Sequence, residues 1–186
     1  MKRCFLFFLS ILFFTCSKST IEDNKLCFIG DSMIANWDVE YYFPNRITDN
    51  LGKDGIGIEK LPINEIASST SELIVLIGTN DIKPSMSDEQ LTEYAINYTS
   101  KIKSIDGNKV VLLSVLPTAS EEKNQKIKTF NTIVREEMSQ KVDIVYVDCF
   151  DAFLRDSVIK EELSRDGTHL NDYGYMLLTD IVKDRL

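Results

Sequence analysis

The apolar residues of this chain are gathered into short continuous runs, and this pattern restricts the fold more than any other feature. The four clearest runs are KLCFIG (25–30), LIVLIG (73–78), KVVLLSVLP (109–117) and VDIVYVD (142–148), and NRITDNLG (45–52) is a weaker fifth. Runs rich in β-branched residues and bounded by turn residues are typical of parallel strands covered on both faces. The pattern therefore predicts five strands of one parallel sheet.

The segments between these runs have helical periodicity. Residues 87–105 place one apolar face at Leu91, Tyr94, Ala95, Tyr98 and Ile102, and residues 121–141 place another at Ile127, Phe130, Ile133, Val134 and Met138. In the last segment, residues 172–186, we expect Met176, Leu177 and Ile181 to face inward, with Leu186 as a further candidate. Alternating strands and helices predict one three-layer α/β/α domain with right-handed crossovers.

The N-terminal residues form a separate unit. Lys2 and Arg3 precede an apolar run from Cys4 to Cys16, after which the chain becomes polar. A positive segment before a short apolar run is typical of an export signal, and the run is shorter than the roughly 20 residues of a membrane span. The sequence thus predicts a signal over residues 1–16, a polar linker over 17–24 and one domain over 25–186.

Cys16 ends the apolar run in a manner that resembles the lipobox of bacterial lipoproteins, in which this cysteine is lipidated and becomes the mature N-terminus. The resemblance implies an exported envelope protein, periplasmic or on the cell surface, that meets the membrane only through this anchor. Secretion without a lipid is the alternative. Cys27 and Cys149 lie in apolar runs and are predicted to be buried core thiols, with a disulfide between them as the alternative in an oxidising compartment.

Charge and composition argue against two kinds of partner or ligand. The net charge is −8 and no basic stripe is present, so nucleic acid is not an expected partner. The chain contains one histidine, and a single histidine with no cysteine cluster does not provide a typical zinc site.

Polar residues and glycines follow the first three predicted strands and recur near the C-terminus, at the sheet edge where open α/β sheets bind ligands. These groups are Gly30, Asp31 and Ser32; Asn50, Gly52, Gly55 and Gly57; Gly78 to Asp81; and, near the C-terminus, Asp166 to His169. Asp31 is either a cap for its turn or a direct participant in the site. Asp81 is expected to brace its loop.

These residues include every group that acyl transfer requires: a nucleophile, a base, an orienting group for the base and donors to the oxyanion. Ser32 is the candidate nucleophile and His169 the candidate base. Asp166 lies three residues before His169 and can hold the Nδ1–H of the imidazole. The backbone N–H of Gly52 and the amide of Asn80 are the candidate oxyanion donors.

The segments FIGDSM, NLGKDG, LIGTNDI and DGTHL resemble the four blocks of the SGNH hydrolases, the GDSL-like lipase/acylhydrolase family, from about Lys25 to the end of the chain. The resemblance implies a flavodoxin-like α/β/α sandwich without a metal or organic cofactor. It implies Ser32 as nucleophile and first oxyanion donor, Gly52 and Asn80 as the other donors, and His169 with Asp166 as base and partner. In the second block Gly55 and Gly57 compete with Gly52, which the N-x-G spacing favours, and Leu170 stands where many members have proline.

The sequence therefore predicts a serine esterase for small-molecule or glycan esters, with short acyl groups such as those of O-acetylated carbohydrates. The segment NWDVEYYFPN (36–45) is either core packing or an aromatic wall for an acyl group or a sugar ring. A lysophospholipase or thioesterase-type lipid acylhydrolase, acyl transfer to an acceptor other than water, and a catalytically silent surface-binding protein are the alternatives. The oligomeric state is left open.

Overall fold

Five parallel strands form the central sheet, as the apolar runs predict. The computed structural model describes residues 25–186, so the predicted signal, the linker and Cys16 lie outside the described residues. The strands are β1 (Lys25–Gly30), β2 (Ile47–Asn50), β3 (Glu72–Leu76), β4 (Lys109–Leu113) and β5 (Ile144–Val147). Their order is β2-β1-β3-β4-β5 with every pairing parallel, so all five carboxyl ends meet at one edge.

Within residues 25–186, six α-helices connect or follow these strands. They are α1 (Ser32–Ala35), α2 (Val39–Tyr42), α3 (Asp88–Lys103), α4 (Glu121–Met138), α5 (Phe150–Phe153) and α6 (Asp172–Lys183), with 3₁₀ turns at Ile58–Lys60, Ile63–Glu65 and Glu161–Leu163. The start of α3 is fixed by a capping box, in which Ser87 and Gln90 each bond the other's backbone N–H.

A small antiparallel ribbon, β6 (Leu154–Arg155) with β7 (Val158–Ile159), was not predicted from the sequence. Its two-residue turn consists of Asp156 and Ser157, both with positive φ, as in the hairpin turns that usually contain glycine or asparagine. The Asp-Ser pair lacks that compositional signal.

The sheet is covered on both faces, which explains its continuous apolar strands. Alternate residues of a strand point to opposite faces: Leu73 and Val75 of β3 contribute to the core under α3 and α4, whereas Ile74 and Leu76 contribute to the core under α1, α2 and α6. The fold is thus the three-layer α/β/α sandwich that the sequence predicts.

The inward face of α6 differs from the prediction. Met176 is 52% exposed, whereas the buried face consists of Tyr175, Leu178, Thr179 and Val182, with Gly174. The Tyr175 hydroxyl donates to the Met33 carbonyl (2.9 Å) and its ring stacks on Trp37 at 6.0 Å. The prediction that Met176 faces inward is wrong because a tyrosine with a buried hydrogen-bond acceptor takes that side of the helix.

Cys27 and Cys149 are buried free thiols, as predicted, and the alternative disulfide is not formed. Burial raises the pKa of each thiol to about 12, so both remain protonated and inert at neutral pH. Within residues 25–186, none of the helices combines the length and the apolar character that crossing a bilayer requires.

Candidate active site

Ser32 lies at the turn where β1 gives way to α1. Asp31 caps this helix, its Oδ1 accepting from the Met33 N–H at 3.0 Å. Gly30 allows the strand to approach β3 closely, since a Cβ at this position would lie 1.9 Å from the Leu76 carbonyl oxygen. The result is a half-buried serine at the carboxyl edge of the sheet.

Ser32, His169 and Asp166 are hydrogen-bonded in series across this edge. Ser32 Oγ lies 3.0 Å from His169 Nε2, and His169 Nδ1 lies 2.7 Å from Asp166 Oδ2. When Nδ1 carries the proton that the carboxylate binds, Nε2 is left as the acceptor for the Ser32 hydroxyl. Residues 137 positions apart in the chain are thus brought into the geometry of nucleophile, base and orienting acid.

The DGTH loop holds Asp166 and His169 in this geometry. Asp166 Oδ1 accepts the backbone N–H groups of Thr168 (3.0 Å) and His169 (2.8 Å). The hydrogen bond from the His169 amide contributes most, and the one from the His169 ring comes next, to lowering the pKa of Asp166 to about 2. The carboxylate is therefore ionised throughout the neutral range.

Gly167 ties the DGTH loop to the loop that follows β4. Its φ is +83° and its carbonyl accepts the Ala119 N–H at 2.6 Å. A Cβ at Gly167 would lie 2.6 Å from the Ala119 Cβ, so this position needs glycine for both conformation and space.

Asn80 follows β3 and lies beside the loop after β2. Its Nδ2 donates to the Ile56 carbonyl at 2.9 Å, which uses one of its two amide hydrogens and leaves the other for a ligand. Two lysines bind the backbone here: Lys83 Nζ donates to the Asn80 carbonyl (2.5 Å) and Lys123 Nζ to the Thr79 carbonyl (2.7 Å). Burial lowers the pKa of Lys123, with a smaller contribution from the charge of Lys83.

Gly52 does not present a free N–H in this structure. Its amide donates to Asn50 Oδ1 at 2.9 Å, and Asn50 Nδ2 in turn donates to the carbonyls of Ile34 and Trp37. A Cβ at Gly52 would lie 2.3 Å from the Ala35 nitrogen. The N-x-G spacing therefore braces the loop against α1, and the oxyanion role of Gly52 stays a prediction that requires this amide to be shared or released.

The two competing glycines of this loop differ from each other. Gly55 adopts a φ of +69° with open space around its Cβ position, and its amide has no hydrogen-bond partner among residues 25–186. Gly57 lies against Asp81, whose Oδ1 would be 1.9 Å from a Cβ there. Asp81 Oδ2 accepts from the Tyr94 hydroxyl and the Ile58 N–H, so Asp81 braces this loop, as predicted.

Asp31 is the buried carboxyl group of the site. It is 1% exposed, and its Oδ2 has no hydrogen-bond partner in the described part of the chain. Burial raises the pKa of Asp31 to about 6, and the charge of Asp81 adds to the effect. The cap predicted at this position is present, and it places an ionisable group next to the candidate nucleophile.

We expect the Asp31→Asn variant to remove a pH-dependent loss of stability. Between its unfolded pKa of 3.8 and its folded pKa of about 6, Asp31 binds more protons in the folded state, so the free energy of unfolding falls as pH rises. Between strongly acidic conditions and pH 8, the free energy of unfolding of the wild type should fall by about 2–3 kcal/mol relative to that of the variant. Urea unfolding of both proteins from pH 4 to pH 8 measures the difference.

The control is Asp54→Asn, which changes an exposed carboxylate after β2 and should leave the pH dependence of the wild type unchanged. Parallel stability curves for the wild type and the Asp31→Asn variant would contradict the assignment.

A three-layer α/β/α domain with serine, histidine and aspartate in series at the carboxyl edge of its sheet has the layout of an acyl hydrolase. The chain belongs to the GDSL-like lipase/acylhydrolase family, whose model matches residues 28–177. It is therefore a GDSL-like acylhydrolase.

Solved structures similar to this one have the same fold. A Streptococcus pneumonia protein described as a platelet activating factor is 25% identical with a TM-score of 0.72, covering 91% of this chain and 86% of its own. A GDSL-like lipase from Bacteroides thetaiotaomicron is 19% identical with a TM-score of 0.71, covering 89% of each chain. An acetylxylan esterase from Geobacillus stearothermophilus is 17% identical with a TM-score of 0.61, covering 87% and 93%. No curated protein matches the chain.

Sequence reasoning named the residues that the structure brings together at this edge but missed the groups that support them. Lys123 is 44 positions from the carbonyl that it binds, and no local pattern marks such a contact. Lys83 is three residues after Asn80 and could have been noticed from its proximity.

Proposed function

We propose that this protein is a serine esterase that cleaves carboxylic esters through an acyl-enzyme, with short acyl groups such as acetyl on carbohydrates. The observation that carries the proposal is the continuous series from Ser32 Oγ through the His169 imidazole to the Asp166 carboxylate. Such a series is the arrangement that activates a serine hydroxyl.

In the acylation step, Ser32 Oγ attacks the ester carbonyl carbon while His169 Nε2 takes the hydroxyl proton. The Asp166 carboxylate stabilises the imidazolium that forms and does not itself take the proton. The negative oxygen of the tetrahedral intermediate is placed beside the backbone N–H of Ser32 and the free amide hydrogen of Asn80, with Gly52 as the further predicted donor. His169 then protonates the leaving alcohol as the C–O bond breaks.

Deacylation repeats these proton transfers with water. His169 Nε2 takes a proton from water as its oxygen attacks the acyl-enzyme, and then returns a proton to Ser32 Oγ as the carboxylic acid leaves. The two steps use the same donors to the oxyanion, and each is expected to be slowed when a donor is lost.

Short acyl groups are supported by one structural neighbour, which is an acetylxylan esterase.

The experiment that tests this function compares p-nitrophenyl acetate with p-nitrophenyl octanoate, using the purified protein. We expect kcat/KM to be at least tenfold higher for the acetate. A preference for octanoate would indicate a lipid acylhydrolase and contradict the proposed carbohydrate esterase. No turnover of either ester would refute the enzyme proposal.

We further propose that the protein is exported and held at a membrane by a lipid on Cys16. The support is the positive and then apolar segment over residues 1–16 with its terminal cysteine. In a bacterial host, the wild type should partition into the detergent phase, whereas Cys16→Ser should not. Equal partitioning of the two proteins would refute the lipid anchor.

A further inference from the structure

A groove of about 410 Å³ runs beside the candidate active site, between α2 and the start of α6, and we call it the α2–α6 groove. Its lining includes Asn36, Asp38, Tyr41, Tyr42, Asp172 and Tyr173. The acyl-transfer steps described above use none of these side chains. The groove is therefore a surface that has no role in the proposed steps and lies next to the candidate catalytic residues.

Both catalytic segments border the α2–α6 groove. Asn36 Nδ2 donates to the carbonyl of Ser32 at 2.7 Å, which places one wall directly after the nucleophile. Asp172 begins α6 three residues after His169, and the Tyr42 hydroxyl donates to the Asp172 carbonyl at 3.2 Å. A molecule whose ester lies at Ser32 would thus have its remainder beside this groove.

The groove concentrates exposed aromatic surface. Tyr41 is 73% and Tyr173 is 66% exposed, and with Met176 they make up three of the six exposed large hydrophobic residues in the described part of the chain. Trp37 and Phe43, from the same segment as Tyr41, are buried. The segment 36–45 is thus divided between core packing and an aromatic surface turned to solvent, and clustered exposed apolar groups mark binding sites.

The carboxylates of the groove can accept further hydrogen bonds. Asp38 Oδ1 accepts the Tyr41 N–H, whereas its Oδ2 has no hydrogen-bond partner among residues 25–186. The Asp172 carboxylate likewise has none there. Two carboxylates attract hydroxyl donors, and they repel the carboxylate or phosphate of an anionic ligand.

From this combination we propose that the α2–α6 groove binds a neutral pyranose ring in the alcohol part of the ester. A pyranose ring has apolar C–H faces that can lie on Tyr41 and Tyr173, and it has hydroxyl groups at its edge that can donate to Asp38 and Asp172. Apolar lining with a few placed polar groups is the usual composition of a small-molecule site. The inference rests on the proposed esterase function, since it assigns the groove to the leaving alcohol.

The kinetic test uses O-acetylated xylotriose and methyl acetate as substrates for Tyr41→Ala and Tyr173→Ala. Each variant is expected to lose about five- to tenfold in kcat/KM for the saccharide, the size of effect that one aromatic contact provides. Activity on methyl acetate, whose alcohol part is too small to contact the groove, should stay within about twofold of the wild type. Tyr173→Trp should retain activity on the saccharide because it keeps an aromatic face.

Ile96→Ala is the matched control, because Ile96 is 52% exposed and lies on α3, outside the α2–α6 groove. It should change neither activity. Unchanged saccharide turnover in both tyrosine variants would overturn the proposal, as would equal losses on the two substrates. A selective loss on p-nitrophenyl octanoate would overturn it in favour of an acyl-chain site.

A binding experiment separates this inference from the esterase proposal. Xylotriose without acetyl groups is titrated calorimetrically into Ser32→Ala, and we expect millimolar affinity that falls at least fivefold when Tyr173→Ala is added. Absence of binding to Ser32→Ala would refute the groove assignment even if the enzyme cleaves acetyl esters. Binding of xylotriose to Ser32→Ala, together with no ester turnover by the wild type, would support the saccharide site and refute the esterase function.

Discussion

Ser32→Ala is expected to lower kcat for p-nitrophenyl acetate by about 10⁶-fold, the loss seen when the nucleophile of a serine triad is removed. His169 Nε2, now 3.0 Å from the hydroxyl oxygen, would have no proton to take and no covalent intermediate could form. The residual rate would come from oxyanion donors that polarise the ester for attack by water. Initial rates measured at high enzyme concentration provide the comparison.

The fold should survive this change, so that the loss can be attributed to chemistry. Ser32 is half-buried, and its side chain is replaced by a smaller one without a new charge. Ser68→Ala, at an exposed position, is the control and should keep full activity. A Ser32→Ala protein with the wild-type melting temperature and more than a hundredth of the wild-type rate would contradict the nucleophile assignment.

Asp166→Asn is expected to lower kcat by about 10⁴-fold at neutral pH. The amide would be nearly isosteric, but its NH₂ group can donate to His169 Nδ1 and so favour the tautomer with the proton on Nε2. That imidazole cannot accept the Ser32 proton. The Asn oxygen can still accept the N–H groups of Thr168 and His169, so the loop should keep its conformation.

The pH dependence distinguishes an electrostatic role of Asp166 from a structural one. Because the pKa of Asp166 is lowered to about 2, its carboxylate is ionised across pH 5–9, and the rate difference between wild type and variant should persist over this whole range. The exposed Asp151→Asn should match the wild type. Recovery of Asp166→Asn to within tenfold of the wild type anywhere in that range would contradict the assigned role.

The strands and the site were predictable from the sequence for related reasons. A parallel strand covered on both faces must be apolar at nearly every position, as in Leu73 to Leu76, so its pattern is unmistakable. The parallel arrangement then brings the residues after each strand to one edge. Ser32 and His169 could be paired because the chain offers a single imidazole.

The parts that were missed depend on tertiary contacts that no local pattern encodes. Met176 is a better apolar residue than Tyr175, yet the tyrosine is buried because its hydroxyl reaches the Met33 carbonyl. The Gly52 amide looked available in the sequence, but it is bonded to Asn50 Oδ1. Which lysine reaches the Thr79 carbonyl depends on where the start of α4 meets the end of β3.

The separation of Ser32 and His169 in the chain has a consequence for when activity can appear. The serine follows the first strand, whereas the histidine comes 137 residues later, after the last strand of the sheet and just before α6. In the proposed mechanism, a chain that is still emerging from the ribosome carries the nucleophile without its base. Ester hydrolysis would then begin only after synthesis has passed His169 and the two ends of the domain have met, so that turnover would report completed folding.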